Sequence, residues 1–213
     1  MSDDILEDIL CFPTIVYSIK KPVFFERVRN VAMAALSEIK TGIHDVYPVK
    51  MSGDISQDPS IQDFCEFVAI TASNILTQQG YDLVGKAAFF ESMWCQEHHR
   101  HSMMEQHVHP GDVQIVGFYF LDTPEGSSFV NFHDPRAGKV QGGRLEADMA
   151  NITYASNAFQ MKPEAGQLIL TNAWLAHSFT RQQSDKPFRF IHFNVCLTDT
   201  PKQQKCCNVA EVI

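Results

Sequence analysis

The chain lacks most of the features that would move it out of the ordinary globular class. No apolar run approaches the roughly 20 residues a membrane-crossing helix needs. The opening MSDDILEDIL is acidic where an export signal is basic, so no signal peptide is expected. There is no internal repeat, no low-complexity tract and no Gly/Ser linker, which predicts a single domain over residues 1–213. The 6 cysteines (Cys11, Cys65, Cys95, Cys196, Cys206 and Cys207) have no disulfide rhythm and read as reduced thiols. Basic residues are in the minority, 17 against 25 acidic for a net charge of −8. That balance disfavours a nucleic-acid backbone or an anionic membrane surface as partner. Together these absences predict a cytoplasmic protein, in a bacterial or phage-infected host cell.

What is present divides the chain in two. Residues 1–82 are predicted mostly helical. PVFFERVRNVAMAALSEIK places Phe24, Val28, Val31, Ala35 and Ile39 near one face. SIQDFCEFVAITASNILTQQG repeats the period through Ile61, Phe64, Val68, Ala72 and Ile75, and stops at Gly80. From residue 83 to 200 the texture changes to short aromatic and β-branched runs: KAAFFESMW, QIVGFYFLD, SSFVNFHDP, QLILTNAW and FRFIHFNVCL. Turn material such as HPGD, TPEGS and DPRAGK separates them. Such spacing predicts a mainly β jelly roll with the N-terminal helices packed outside it. Residues 201–213 form a tail in which Cys206-Cys207 needs no function.

Histidines carry the chemistry. Read as a strand, MMEQHVHP turns Glu105, His107 and His109 to one face. Two imidazoles there can reach one ion, or can be a solvated strand end. His177 follows an apolar strand and Trp174-Leu175, as a ligand or as a satisfied core histidine. Arg189 lies within FRFIHF and, if buried, needs an anionic partner, from the protein or from a ligand.

In this order, His-x-His, distal His and Arg, the chain resembles the Fe(II)- and 2-oxoglutarate-dependent oxygenases. It is most similar to the subgroup of putative 2OG-Fe(II) oxygenases of bacteria and their phages. The matching pieces are CFPTIVYS, ESMW, HVHPGDVQIVGFYFLD, FHDPR, PEAGQLILTNAWLAHSF and FRFIHFNV, densest from Glu91 to Leu197. The resemblance implies a double-stranded β-helix of cupin type, and iron bound by His107, His109 and His177. It implies 2-oxoglutarate paired with Arg189 and Tyr119, dioxygen as the other co-substrate, and hydroxylation of a protein side chain or a small molecule. A carboxylate is usual where His109 stands, so Asp134, then Asp112 and Glu105, are alternative third ligands. The serine often found two residues after the arginine is Ile191 here.

The remaining candidates read as structural. His98, His99 and His101 are expected on a polar loop, with Arg100 beside them, and His192 within a strand. Arg136 is expected to pair with Asp134 in a turn. Cys95-x-x-His98 lacks the second half of a zinc site. A cupin-type metal-binding protein without turnover, and a His-rich zinc or nickel site for hydrolysis or isomerisation, are the competing functions. Homodimerisation through outer strands or helices is compatible with such a fold.

Overall fold

A computed structural model describes residues 7–199. Six strands build the larger sheet: β1 (Val16–Lys20), β2 (Val49–Met51), β3 (Lys86–His98), β5 (Val113–Asp122), β8 (Gln167–Asn172) and β10 (Phe188–Asp199). A smaller sheet holds four: β4 (Met104–His107), β6 (Val130–His133), β7 (Ala158–Met161) and β9 (His177–Phe179). The orders are β1-β8-β5-β10-β3-β2 and β4-β9-β6-β7, with antiparallel pairing throughout. This is the jelly roll expected from the spacing of the short strands. The N-terminal part is less purely helical than its periodicity suggests, because β1 and β2 close the two edges of the larger sheet. Residues 201–213, with Cys206-Cys207, lie outside the described residues. No helix among those described is long and apolar enough to cross a membrane.

The helices α1 (Phe25–Ser37) and α2 (Gln62–Gln78) cover one face of the larger sheet. α2 buries Phe64, Val68, Ala72 and Ile75 as its period predicts. Its end is set by Gly80, at φ +91°, where the Gly80 and Tyr81 amides donate to the Thr77 and Leu76 carbonyls. In α1 the fully buried row is Val28, Ala32 and Leu36, one step round the helix from the expected face. A short helix, α3 (Ala137–Gln141), follows β6.

The larger sheet is therefore covered twice, by helices outside and by the smaller sheet inside, and its strands are apolar on both faces. Along β10, Ile191, Phe193 and Val195 join the helix-side core, whereas Phe188 and Phe190 join the core between the sheets. Phe118, Phe120 and Phe179 fill the same inner space, each fully buried ring contributing about 1.5–3 kcal/mol. Gly117 is required in β5. A Cβ there would lie 2.3 Å from Phe193 Cζ and 2.6 Å from the Ile169 carbonyl oxygen, closer than packing allows.

Candidate metal centre

β4 and β9 pair antiparallel with His107 directly opposite His177, after an irregularity in β4 that turns both Met104 and His107 inward. The chain then leaves the strand. The His109 amide donates to the Ala173 carbonyl at 3.0 Å, and Gly111, at φ +77°, turns it into β5. Side-chain ligand atoms of His107, His109 and His177 all lie within 4.8 Å of one another. The ring centroids are 4.4 Å apart for His107 and His177, 5.2 Å for His107 and His109, and 5.3 Å for His109 and His177.

Hydrogen bonds determine which nitrogen each ring offers. His107 Nδ1 is 2.8 Å from the Glu105 carbonyl oxygen and His177 Nδ1 is 3.0 Å from that of Leu175. A carbonyl can only accept, so both Nδ1 atoms carry the proton and both Nε2 lone pairs are free. His177 Nε2 and His109 Nε2 are buried and without a partner. Such orphaned acceptors are uncommon in a folded protein, and a divalent metal would satisfy them. Burial pushes the His177 imidazole down to about 3, with its Leu175 hydrogen bond opposing. Burial and then the His107 ring push His109 down to about 4, against the neighbouring Asn194 amide. Neutral imidazole is the form a metal needs. His177 is buried while His107 and His109 are half-buried, which leaves one side of the cluster approachable.

A fourth imidazole belongs to this group. His192, on β10, is buried, with Nδ1 2.9 Å from the Gly117 carbonyl oxygen and Nε2 without a partner. Its ring lies 5.0 Å from that of His109 and stacks on Phe118 at 4.7 Å. His98 was expected on a loop, yet it ends β3 and is buried among Phe179, Phe188 and Phe190. His99 pairs with Glu97 at 2.8 Å, His101 is exposed, and Arg100 meets Asp185. His133 Nε2 is 2.9 Å from Ser178 Oγ.

The alternative carboxylates do not join the triad. Asp134 is clasped by Arg136, whose Nε and Nη2 donate at 2.9 and 3.0 Å, with Lys139 Nζ at 3.5 Å. These bonds hold its carboxyl below the usual range. This is the expected turn pairing. Glu105 and Asp112 are exposed and outside the cluster. Cys95 packs in the helix-side core while His98 faces inward, so that pair shares no ion.

Arg189 and Tyr119, which the resemblance pairs with 2-oxoglutarate, are engaged by protein groups in this structure. Strand alternation points Arg189 and Tyr119 to the helix-covered face, away from the triad. Tyr119 packs in the helix-side core and its hydroxyl donates to the Lys21 carbonyl at 2.7 Å. Arg189 donates to Glu97 Oε2 at 2.6 Å and to Asp122 Oδ2 at 2.7 Å, and Asp122 also receives Arg29. Burial raises both carboxyls, but these hydrogen bonds, with one from His99 to Glu97, outweigh it and hold both below the ordinary range. Arg189→Ala strands the buried Glu97 and the half-buried Asp122 carboxylates. It is expected to cost about 2–4 kcal/mol, allowing for their partial exposure, while leaving metal affinity unchanged. Chemical denaturation beside a metal titration checks both halves, and weakened metal binding in a stably folded variant would refute this placement.

Phe132 and Leu175, which flank His177 in the chain pairing and the preceding turn, also line a cavity of about 740 Å³ that Ile9, Phe12, Arg136 and Tyr154 share.

Comparison with known proteins agrees with the jelly-roll fold. Residues 92–194 match the family described as "Putative 2OG-Fe(II) oxygenase". No curated protein matches the chain. Among solved structures the chain is similar to the non-heme alpha-ketoglutarate-dependent epimerase SnoN of nogalamycin biosynthesis, with TM-score 0.62 and 10% identity over 88% of this chain and 82% of that one. A Pseudomonas putida prolyl-4-hydroxylase gives 0.54 and 10% over 86% and 92%. HygX from Streptomyces hygroscopicus, solved with nickel, 2-oxoglutarate and hygromycin B bound, gives 0.53 and 12% over 86% and 83%. At such identities the likeness is one of fold.

Proposed function

We propose that this chain, which through residues 92–194 belongs to the 2OG-Fe(II) oxygenase family, is an iron-dependent hydroxylase whose metal is held by His107, His109 and His177. The observation that carries this reading is the convergence of three imidazoles, two with buried, unpartnered Nε2 atoms. A metal held by these three imidazoles would keep room for a chelating 2-oxo acid and for dioxygen. Iron held there would supply the redox chemistry that couples oxidative decarboxylation of a 2-oxo acid by dioxygen to oxygenation of a substrate C–H bond. The protein's own groups do the rest. The Glu105 and Leu175 carbonyls fix the ring tautomers, and the aromatic interior excludes water. The cavity beside Phe132 and Leu175 offers room for the hydroxylated substrate.

The donor set fits iron. It fits the second carboxylate of 2-oxoglutarate less well, since the described strand residues facing the triad include no lysine or arginine, and Arg189 is committed to Glu97 and Asp122. That commitment favours a second reading, a cupin-type metal-binding protein without turnover.

Anaerobic loading with Fe(II), addition of a 2-oxo acid and admission of oxygen separates the two. The hydroxylase reading expects oxygen-dependent release of carbon dioxide, and none from any oxo acid would leave the binding protein. The same titration assigns the third ligand. His109→Ala is expected to weaken iron by roughly 100-fold or more, beyond the 10–100-fold typical of an outer-shell change, and Asp134→Ala to leave it unchanged. The reverse order would return the site to a carboxylate.

A further inference from the structure

We propose that the cavity beside the triad takes an electrically neutral, multi-ring small molecule, held by apolar walls rather than by a charge. This rests on the hydroxylase reading and names the class of its substrate. Across the smaller sheet His107, His177, Phe132 and Phe159 stand opposite one another in turn, so one inward row joins the metal ligands to the cavity. Phe132 is the link, its ring 6.5 Å from that of His177 and 6.2 Å from that of Phe159. The cavity opens between β1 and β7, free edges of the two sheets, where Val16 and Phe159 line it. A molecule seated there lies one side chain from His177.

The outer walls are apolar and uncovered. Ile9 and Phe12, from the segment before β1, are 78% and 97% exposed, and Ile152 and Tyr154, from the loop before β7, are 64% and 76% exposed. Phe12 also holds its backbone at φ +54°, a region that bulky residues avoid and that persists at ligand clamps. Exposed apolar surface gathered around a concavity marks a binding site. Its volume of about 740 Å³ falls within the roughly 300–1,000 Å³ usual for small molecules, room for several rings. Charge disfavours an acidic ligand. The lining carries two carboxylates, Asp8 and Asp134, against one cation, Arg136. Arg136 gives Nε and Nη2 to Asp134, and Nη2 also reaches the Tyr154 carbonyl at 3.1 Å. Lys139, close by, is held by the Ala155 and Ser156 carbonyls. A carboxylate or phosphate would give up water here for no free counter-charge. Asp8 is exposed, where water screens its attraction for a cation. A neutral ring system meets neither obstacle and gains apolar contact with the walls.

Two fluorescent dyes that share a skeleton and differ by one sulfonate test this: N-phenyl-1-naphthylamine and 8-anilinonaphthalene-1-sulfonate. Each is titrated against the full chain, with nickel in place of iron so that nothing turns over. The neutral dye is expected to bind roughly tenfold or more tightly than the sulfonated one, and Phe12→Ala and Tyr154→Ala each to weaken it severalfold. Both side chains are exposed, so the fold survives their loss. Ile152→Lys, which places a cation on the wall, is expected to narrow or reverse the gap. Equal or tighter binding of the sulfonated dye by the wild type overturns the proposal. So does wild-type affinity for the neutral dye in both alanine variants. Neither result touches the hydroxylase reading, which stands or falls on oxygen-dependent release of carbon dioxide. Absence of that release overturns the reading, and with it the substrate role, whatever the dyes do.

Discussion

His177→Ala is expected to abolish stable metal binding. His177 is the buried member of the triad, pinned through Nδ1 to the Leu175 carbonyl, with Nε2 unpartnered. Its position opposite His107 across the β4–β9 pair means that the remaining imidazoles both come from one short segment around Val108. Losing a directly bound nitrogen should lower iron affinity well beyond the 10–100-fold typical of an outer-shell change, and the oxo-acid charge-transfer band should vanish with it. Metal content after anaerobic loading and dialysis measures this. His133→Ala is the comparison, because His133 spends its Nε2 on Ser178 and should keep wild-type metal content. Wild-type affinity in the His177 variant, with its fold verified by circular dichroism, would mean the metal binds elsewhere.

Acid is expected to unfold the metal-free protein at an unusually mild pH. Burial holds His98 and His177 down at about 3 and His192 well below the ordinary histidine range. In the unfolded chain each titrates near 6.5. Because the folded values are depressed, the unfolded chain binds more protons through the window below 6.5. Stability is whole above that pH and drains as pH falls toward the folded values. Each group contributes a slope of about 1.4 kcal/mol per pH unit once the unfolded chain is fully protonated. For the three together this is roughly 4 kcal/mol per unit, set against a typical total of 5–15. Denaturation midpoints of metal-free protein should fall steeply from pH 6 and approach zero between about pH 5 and 4. Bound metal stabilises the folded state by mass action and should move the transition to lower pH. A midpoint unchanged from pH 7 to 5 would show that the buried imidazoles accept protons without unfolding.

Much of this was legible in the residues. The helical periods of α1 and α2, the short-strand rhythm after residue 83 and the Pro110-Gly111 turn follow from local physics, namely side-chain period and backbone restriction. So does the pairing of Asp134 with Arg136, since both lie in one turn. The candidate triad was readable too. A histidine pair two residues apart and a distal histidine after a strand-turn are local patterns, and the fold needed only to bring two short segments together.

What sequence could not decide was which way the strands of the larger sheet face. In FRFIHFNV, Phe188, Phe190, His192 and Asn194 alternate with Arg189, Ile191, Phe193 and Val195, and each set mixes apolar with polar residues. A strand covered on both sides has no solvent face to betray its orientation, so alternation groups the residues without saying which group meets the metal. Tertiary packing settles it. The helices take the Ile191 face, and with it Arg189 and Tyr119. The smaller sheet takes the Phe188 face, and with it His192 beside the triad. The sequence by itself determined the jelly roll and the three histidines that converge. Only the choice of face, made by what packs against each side of β10, decided that these histidines look onto phenylalanine rather than arginine.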